Sequence, residues 1–136
     1  MRILFICTGN SCRSQMAEGL ARVHDRGGVA AFSAGSRPAD TVSPYAVRVM
    51  AEKGIDISGH RPKSVNGFAG QVFDCVITLC DSAKQSCPYF PGDGRRLHWS
   101  IPDPYDAGEG EALAVYRRTR DDIEARIVKL LGEEAP

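Results

Sequence analysis

Residues 2–20 read RILFICTGNSCRSQMAEGL. Arg2 to Ile6 is a short apolar run of strand-forming residues, and it stops abruptly at Cys7. Ser14 then has the chemistry of a helix N-cap, and Gln15 to about Arg26 reads as a helix that Gly27-Gly28 ends. A strand, a polar loop and a helix in that order are the start of a βαβ unit.

The rest of the chain repeats the alternation. Val29 to Ser33 is a second strand candidate closed by Gly35, and Ser43-Pro44 opens a helix, cap followed by N1 proline, that Gly54 ends. Val72 to Leu79 is apolar and β-branched and runs into Cys80; Arg96 to Ile101 is a fourth strand candidate. The last helix runs from about Glu111 to Leu131, with Leu113, Tyr116, Ile123, Ile127 and Leu130 on one face. This pattern predicts an α/β fold: a three-layer domain in which helices flank a four-stranded parallel sheet. Ligands of such sheets bind at the carboxyl ends of the strands. Cys7 and Cys80 each follow a strand directly. Neighbouring strands lie about 4.8 Å apart, and a disulfide spans about 5.5 Å between Cα atoms. If their strands are neighbours, the two sulfurs can share one site.

With 136 residues and no Pro/Gly/Ser-rich linker, residues 1–136 read as a single domain. The 17 basic and 17 acidic residues cancel, which argues against a surface built to hold nucleic acid or anionic lipid. Arginine supplies 13 of the basic residues, and guanidinium is the better fork for an oxyanion. No apolar run is long enough to span a membrane, so a cytoplasmic protein with reduced thiols is expected. Five cysteines, Cys7, Cys12, Cys75, Cys80 and Cys87, then point to catalytic, redox or metal roles rather than a disulfide framework.

The loop Cys7-Thr8-Gly9-Asn10-Ser11-Cys12-Arg13-Ser14 can offer its backbone N–H groups, with a helix N-terminus behind them, to an anion. Gly9 permits the tight backbone, and Arg13 adds donors for a tetrahedral oxyanion. The same positive surroundings favour the thiolate of Cys7, which is then a nucleophile, and Ser14 can donate a hydrogen bond to it. The Gly-Lys-Ser/Thr ending of a Walker loop is missing. A turn that merely buries a cysteine would not explain Cys, Gly, Arg and Ser together. For Cys12 simple packing is the better reading, with a protective disulfide to Cys7 as the alternative.

With Gln15-Met16-Ala17-Glu18-Gly19 behind it, this loop resembles that of the low-molecular-weight protein tyrosine phosphatase superfamily. More narrowly, it is similar to the thioredoxin-coupled arsenate reductases built on that fold. Phosphatases of the fold usually carry a bulkier loop and a proline after the final serine, whereas Thr8, Ser11 and Gln15 follow the reductase pattern. Ser33-Ala34-Gly35, Thr78-Leu79-Cys80, Cys87-Pro88, His98-Trp99 and Asp103-Pro104 extend the likeness over nearly the whole chain.

A proton donor for the departing oxygen is also required. Asp103, stiffened by Pro102 and Pro104, is the candidate, an Asx turn is its bland alternative, and Asp106 is the fallback. The resemblance implies that the Asp-Pro aspartate is the general acid. It also implies a relay: Cys7 attacks arsenic, Cys80 attacks Cys7 and releases arsenite, and Cys87 passes the disulfide on to thioredoxin. Seven residues of helix rise about 10.5 Å, so residues 80–87 must loop or unwind for the last disulfide. Asn10, Glu18 and Ser33 match residues that hold a potassium ion in some relatives, but Lys63 stands where those relatives have a further carboxylate. An ammonium at that place argues against a potassium requirement, and no other bound cofactor is implied.

Cys75 is read as a small core residue, and His24 and His60 as surface residues without partners. A zinc set of Cys75, Cys80, Cys87 and His98 lacks any Cys-x-x-Cys knuckle. Two other functions compete with arsenate reduction: phosphate-monoester hydrolysis by the same loop and acid, and a thiol-based metal or arsenite sensor. A sensor needs the cysteines alone and leaves Arg13 and Asp103 unexplained. The expected partners are arsenate, with phosphate and sulfate as competing anions, and thioredoxin; the expected state is a monomer.

Overall fold

The computed structural model describes residues 1–81, 83, 90–104 and 109–134. Strands β1 (Arg2–Cys7), β2 (Ala30–Gly35), β3 (Cys75–Thr78) and β4 (Arg95–His98) form one parallel sheet in the order β2-β1-β3-β4. Helices α1 (Arg13–His24), α2 (Pro44–Ala51) and α3 (Ala112–Glu134) pack on one another. The four-stranded parallel sheet of the sequence reading is the observed one, and the two strands that lead to Cys7 and Cys80 are paired neighbours.

β1 is an unbroken apolar run because it is central: Ile3, Leu4, Phe5 and Ile6 are fully buried. Ser33 on β2 turns toward α1, where its hydroxyl donates to Glu18 at 3.1 Å. Its neighbour Phe32 therefore faces the other side of the sheet, where it meets Phe68 and Phe73 edge to face. On α3, Tyr116, Ile123, Ile127 and Leu130 are buried as the apolar stripe predicts.

Several boundaries differ from the sequence reading. Helix α1 begins at Arg13, Cys12 takes the N-cap position, and no side chain caps the helix. Ser14 does not act as the cap, because its hydroxyl is engaged by Asn10 and Cys7. The helix stops at His24, ahead of the glycines. The Asp25 carboxylate accepts from the amides of Gly27 and Val29, and this Asx turn competes with a further helical turn. The third strand starts at Cys75 rather than Val72, since Arg2 holds the approach: its guanidinium donates to the Val72 carbonyl and its amide to Asp74. The fourth ends at His98, although the amides of Trp99 and Ile101 still bond to the carbonyls of Thr78 and Leu79. At the start of α2 the expectation holds, since Ser43 caps the helix and Pro44 is its first residue, but the helix stops at Ala51, ahead of Gly54.

Candidate active site

The loop after β1 is shaped from outside. The carbonyls of Cys7, Thr8, Gly9 and Ser11 accept from the amides of Ser36, Arg37, Ala39 and Ser43 at 3.2, 2.8, 2.9 and 2.8 Å. In a trans peptide the N–H points opposite to its own C=O. Four carbonyls turned outward thus aim the amides of Thr8, Gly9, Asn10 and Cys12 to the concave side. Asn10 adopts the left-handed conformation (φ 51°) that closes the curl, one that asparagine tolerates better than most residues. Gly35 lies against the loop so tightly that a Cβ there would stand 2.7 Å from the Thr8 carbonyl oxygen.

Inside the loop, Cys7 is buried, with Sγ 2.8 Å from Ser14 Oγ. Arg13 is also buried. Its Nη1 donates to the Ile101 carbonyl at 2.9 Å, and its Nη2 lies 3.7 Å from the Asp103 carboxylate. Among the described residues, Arg13 Nε is the buried side-chain nitrogen that no protein acceptor meets. A buried donor of that kind is costly unless something accepts from it, and a tetrahedral oxyanion in the concave loop is such an acceptor. Asp103, half-exposed, sits at the mouth beside this guanidinium, where it can reach a bound anion.

Cys12 differs from its loop partner. Burial, reinforced by Cys7 nearby, pushes its thiol up to about 12, so it stays protonated and packs. Cys80 is buried just past the end of β3, with Sγ 3.1 Å from Thr8 Oγ1 and accepting from the Ala83 amide at 3.4 Å. Thr8 thus links the Cys7 loop to the second thiol. Cys87 and Asp106 lie outside the described residues. Cys75 is buried opposite Arg95 at the start of β3, whereas His98 pairs with Thr78 at its end. The conceivable zinc set is therefore not gathered. His98 instead bridges Thr78 Oγ1 and Asp81 Oδ1 at 2.7 and 2.9 Å.

The two other histidines are not the free surface residues of the sequence reading. His24 bonds Glu124 at 2.8 Å, and His60 bonds Gln15 at 3.0 Å and lies 3.3 Å from Glu18. All three partners are distant in sequence, so no local spacing announces them. The oxygens matched to a potassium site are already engaged. Asn10 Oδ1 accepts from Gln15 Nε2 and the Lys63 amide, and Glu18 meets Ser33, Arg22 and His60. Lys63 Nζ donates to the Arg61 carbonyl, and burial, opposed by the charge of Glu18, lowers its ammonium below the usual lysine value. This donor set does not fit a further cation.

The model of the low molecular weight phosphotyrosine protein phosphatase family matches residues 2–135. The chain belongs to that family. Within it, an arsenate reductase of Halalkalibacterium halodurans is 45% identical over 128 residues, which are 92% of this chain and 91% of that protein. A solved arsenate reductase in the oxidized state superposes with a TM-score of 0.84 at 31% identity, covering 98% of each chain. A thioredoxin-dependent arsenate reductase of Corynebacterium glutamicum gives 0.76 at 29% identity, covering 97% of this chain and 60% of that one. The fold is therefore that of the phosphatase family, and the three relatives named above are reductases.

Proposed function

We propose that this member of the family reduces arsenate to arsenite, with Cys7 as nucleophile and a thiol relay as the source of electrons. The observation that carries the reading is a further buried thiol, Cys80, at the end of the strand paired with β1 and bonded to Thr8 of the loop. Ester hydrolysis runs on one thiol and water and gives this further thiol no chemical task.

The loop amides and Arg13 hold the arsenate oxygens, and Cys7 Sγ attacks arsenic. An As–O bond breaks, and the oxygen leaves as water with a proton from Asp103. Cys80 then attacks Cys7 Sγ. The S–As bond breaks with its electron pair left on arsenic, As(V) becomes As(III), and the Cys7–Cys80 disulfide remains. Cys87 attacks Cys80, frees Cys7, and leaves a Cys80–Cys87 disulfide for thioredoxin to reduce. Thr8, Gly9, Asn10, Ser11, Cys12 and Ser14 contribute loop shape and anion contacts. No potassium is required, and the enzyme acts as a cytoplasmic monomer. Among the described residues no helix is long and apolar enough to cross a membrane.

Hydrolysis of phosphate monoesters is the second reading, supported by the pairing of the loop with Asp103 beside Arg13; it fits a weak side activity. The test is arsenate-dependent oxidation of NADPH with thioredoxin and its reductase, run beside hydrolysis of p-nitrophenyl phosphate. Sustained, Cys80-dependent NADPH oxidation supports the reductase. Rapid ester hydrolysis with no arsenate-dependent oxidation overturns it.

A further inference from the structure

Cys80 is flanked by two residues that meet the same imidazole. Backbone bonds hold the extension of β3 as far as Leu79, whose amide donates to Ile6 at 2.8 Å and whose carbonyl accepts from Ile101 at 3.2 Å. Two residues before Cys80 in the chain, Thr78 Oγ1 lies 2.7 Å from His98 Nδ1. On the residue after it, Asp81 Oδ1 lies 2.9 Å from His98 Nε2. His98 closes β4 in register with Thr78, so the ring is attached to the edge strand of the sheet.

The donor and acceptor types fix how this bridge works. A carboxylate only accepts, so His98 Nε2 carries the proton that meets Asp81. In the neutral ring Nδ1 then accepts from the Thr78 hydroxyl, whose other acceptor, the Leu97 carbonyl, is farther off at 3.5 Å. In the imidazolium Nδ1 donates to Thr78, and the hydroxyl turns to Leu97. The bond to Asp81 exists in both states. Asp81 is exposed, and an exposed ion pair adds little to overall stability. Its consequence is positional. Asp81 is joined directly to Cys80, and tying its carboxylate to the sheet edge restricts the turn that sets Cys80 Sγ 3.1 Å from Thr8 Oγ1.

We infer that His98 is a positioning residue for Cys80: by donating from Nε2 to Asp81 it ties the residue after the thiol to the edge of the sheet and keeps Cys80 Sγ against the Cys7 loop. The inference rests on the relay proposed above for the task it gives Cys80. A competing role for Asp81 is local. Asp81 and Ala83 have helical backbone, and a carboxylate in a first helical turn offsets the free amides there without any help from a histidine.

The experiment measures how readily Cys80 reaches Cys7 when no arsenate is present. A Cys87→Ser chain is equilibrated with reduced and oxidised glutathione, and peptide mapping gives the fraction of Cys7–Cys80 disulfide. Oxidised glutathione takes two electrons from the two thiols and becomes two molecules of reduced glutathione, so the equilibrium constant is the effective concentration of one thiol at the other. In that background Asp81→Ala and His98→Ala are each expected to lower it about three- to ten-fold, and the double variant to fall no further than His98→Ala alone. His98→Gln and Asp81→Asn, which keep a donor and an acceptor, should stay near the parent value. Cys7 alkylation by iodoacetamide should be the same in all of them, because the bridge does not touch Cys7. An unchanged equilibrium with a lower melting temperature is the mark of a purely structural bridge and overturns the inference. So does a loss in Asp81→Ala that is equally large with and without His98, which assigns Asp81 to the helical amides. Should His98→Ala fail to fold, the pair at exposed Asp81 decides: a loss in Asp81→Ala restored in Asp81→Asn supports the bridge, and equal values in both refute it. These failures leave the reductase reading standing, whereas a parent chain that forms no Cys7–Cys80 disulfide at any glutathione ratio takes down the relay and this inference together.

Discussion

At the end of β1, Cys7 sits in a loop with outward carbonyls bonded to residues 36–43, and the Ser14 hydroxyl meets its sulfur. At the end of the neighbouring β3, Cys80 has a threonine hydroxyl at 3.1 Å and one longer contact from the Ala83 amide. Two thiols at equivalent places in the sheet thus sit in different surroundings: Cys7 within a loop whose backbone is tied to residues 36–43, Cys80 against a side chain of that loop. A nucleophile benefits from a fixed position, because misplacement of the attacking atom is costly in rate. A thiol that must attack one sulfur and then be attacked by another has to change place between the two events. The buttressed backbone belongs to the thiol that attacks arsenic first, and the second thiol rests against a hydroxyl of that same loop.

The largest effects break this contrast at the thiols themselves. Cys7→Ser is expected to abolish arsenate reduction and ester hydrolysis together, since a serine hydroxyl stays protonated at neutral pH; substantial residual turnover in either assay would remove Cys7 from the role. Cys87→Ser should release about one arsenite per chain and stop as a Cys7–Cys80 disulfide, readable by peptide mapping. Cys80→Ser should stop before any arsenite leaves, while ester hydrolysis survives both changes. A trapped Cys7–Cys12 bond in Cys87→Ser would contradict the relay.

A smaller effect is expected at the mouth. Asp103→Asn should slow formation of the first covalent adduct by about 100-fold in single-turnover kinetics and leave oxyanion affinity nearly unchanged, because the loop and Arg13 remain. Affinity lost in parallel with rate would make Asp103 a structural partner of Arg13. The smallest effect sharpens the loop side: Gly35→Ala puts a methyl against the Thr8 carbonyl and the Asn10 amide and should cost about 1–3 kcal/mol of stability. Weaker sulfate binding measured by calorimetry should accompany it, whereas unchanged binding would show that the loop holds its shape without that contact.

The sheet was legible because its signals are local. The apolar run Ile3–Ile6 and the β-branched run before Cys80 are readable over a few residues, and the stripe on α3 over a few turns. The loop was legible from its residue types. What was not legible depends on contacts between distant segments. Nothing in Ser36, Arg37 or Ala39 announces that their amides take the loop carbonyls, and nothing near Ile101 announces that its carbonyl holds Arg13. His60 looked free for the same reason: its partner lies 45 residues away. The Ser14 hydroxyl went to the site rather than to the helix cap, a case in which the tertiary partners outweighed a local preference.

The outward carbonyls also couple anion binding to folding. A loop that owes its curvature to amides from residues 36–43 has no concave face until β2 has joined the sheet and the segment after it has docked. The unfolded chain carries the same cysteine and arginine, but without that buttress it presents no cradle to an oxyanion. On the proposed reading, phosphate, sulfate and arsenate would bind the folded state alone and stabilise it by mass action, by RT ln(1 + [L]/Kd). In a cell rich in phosphate, part of the protein's resistance to unfolding would then be supplied by the same anion that is expected to compete with its substrate.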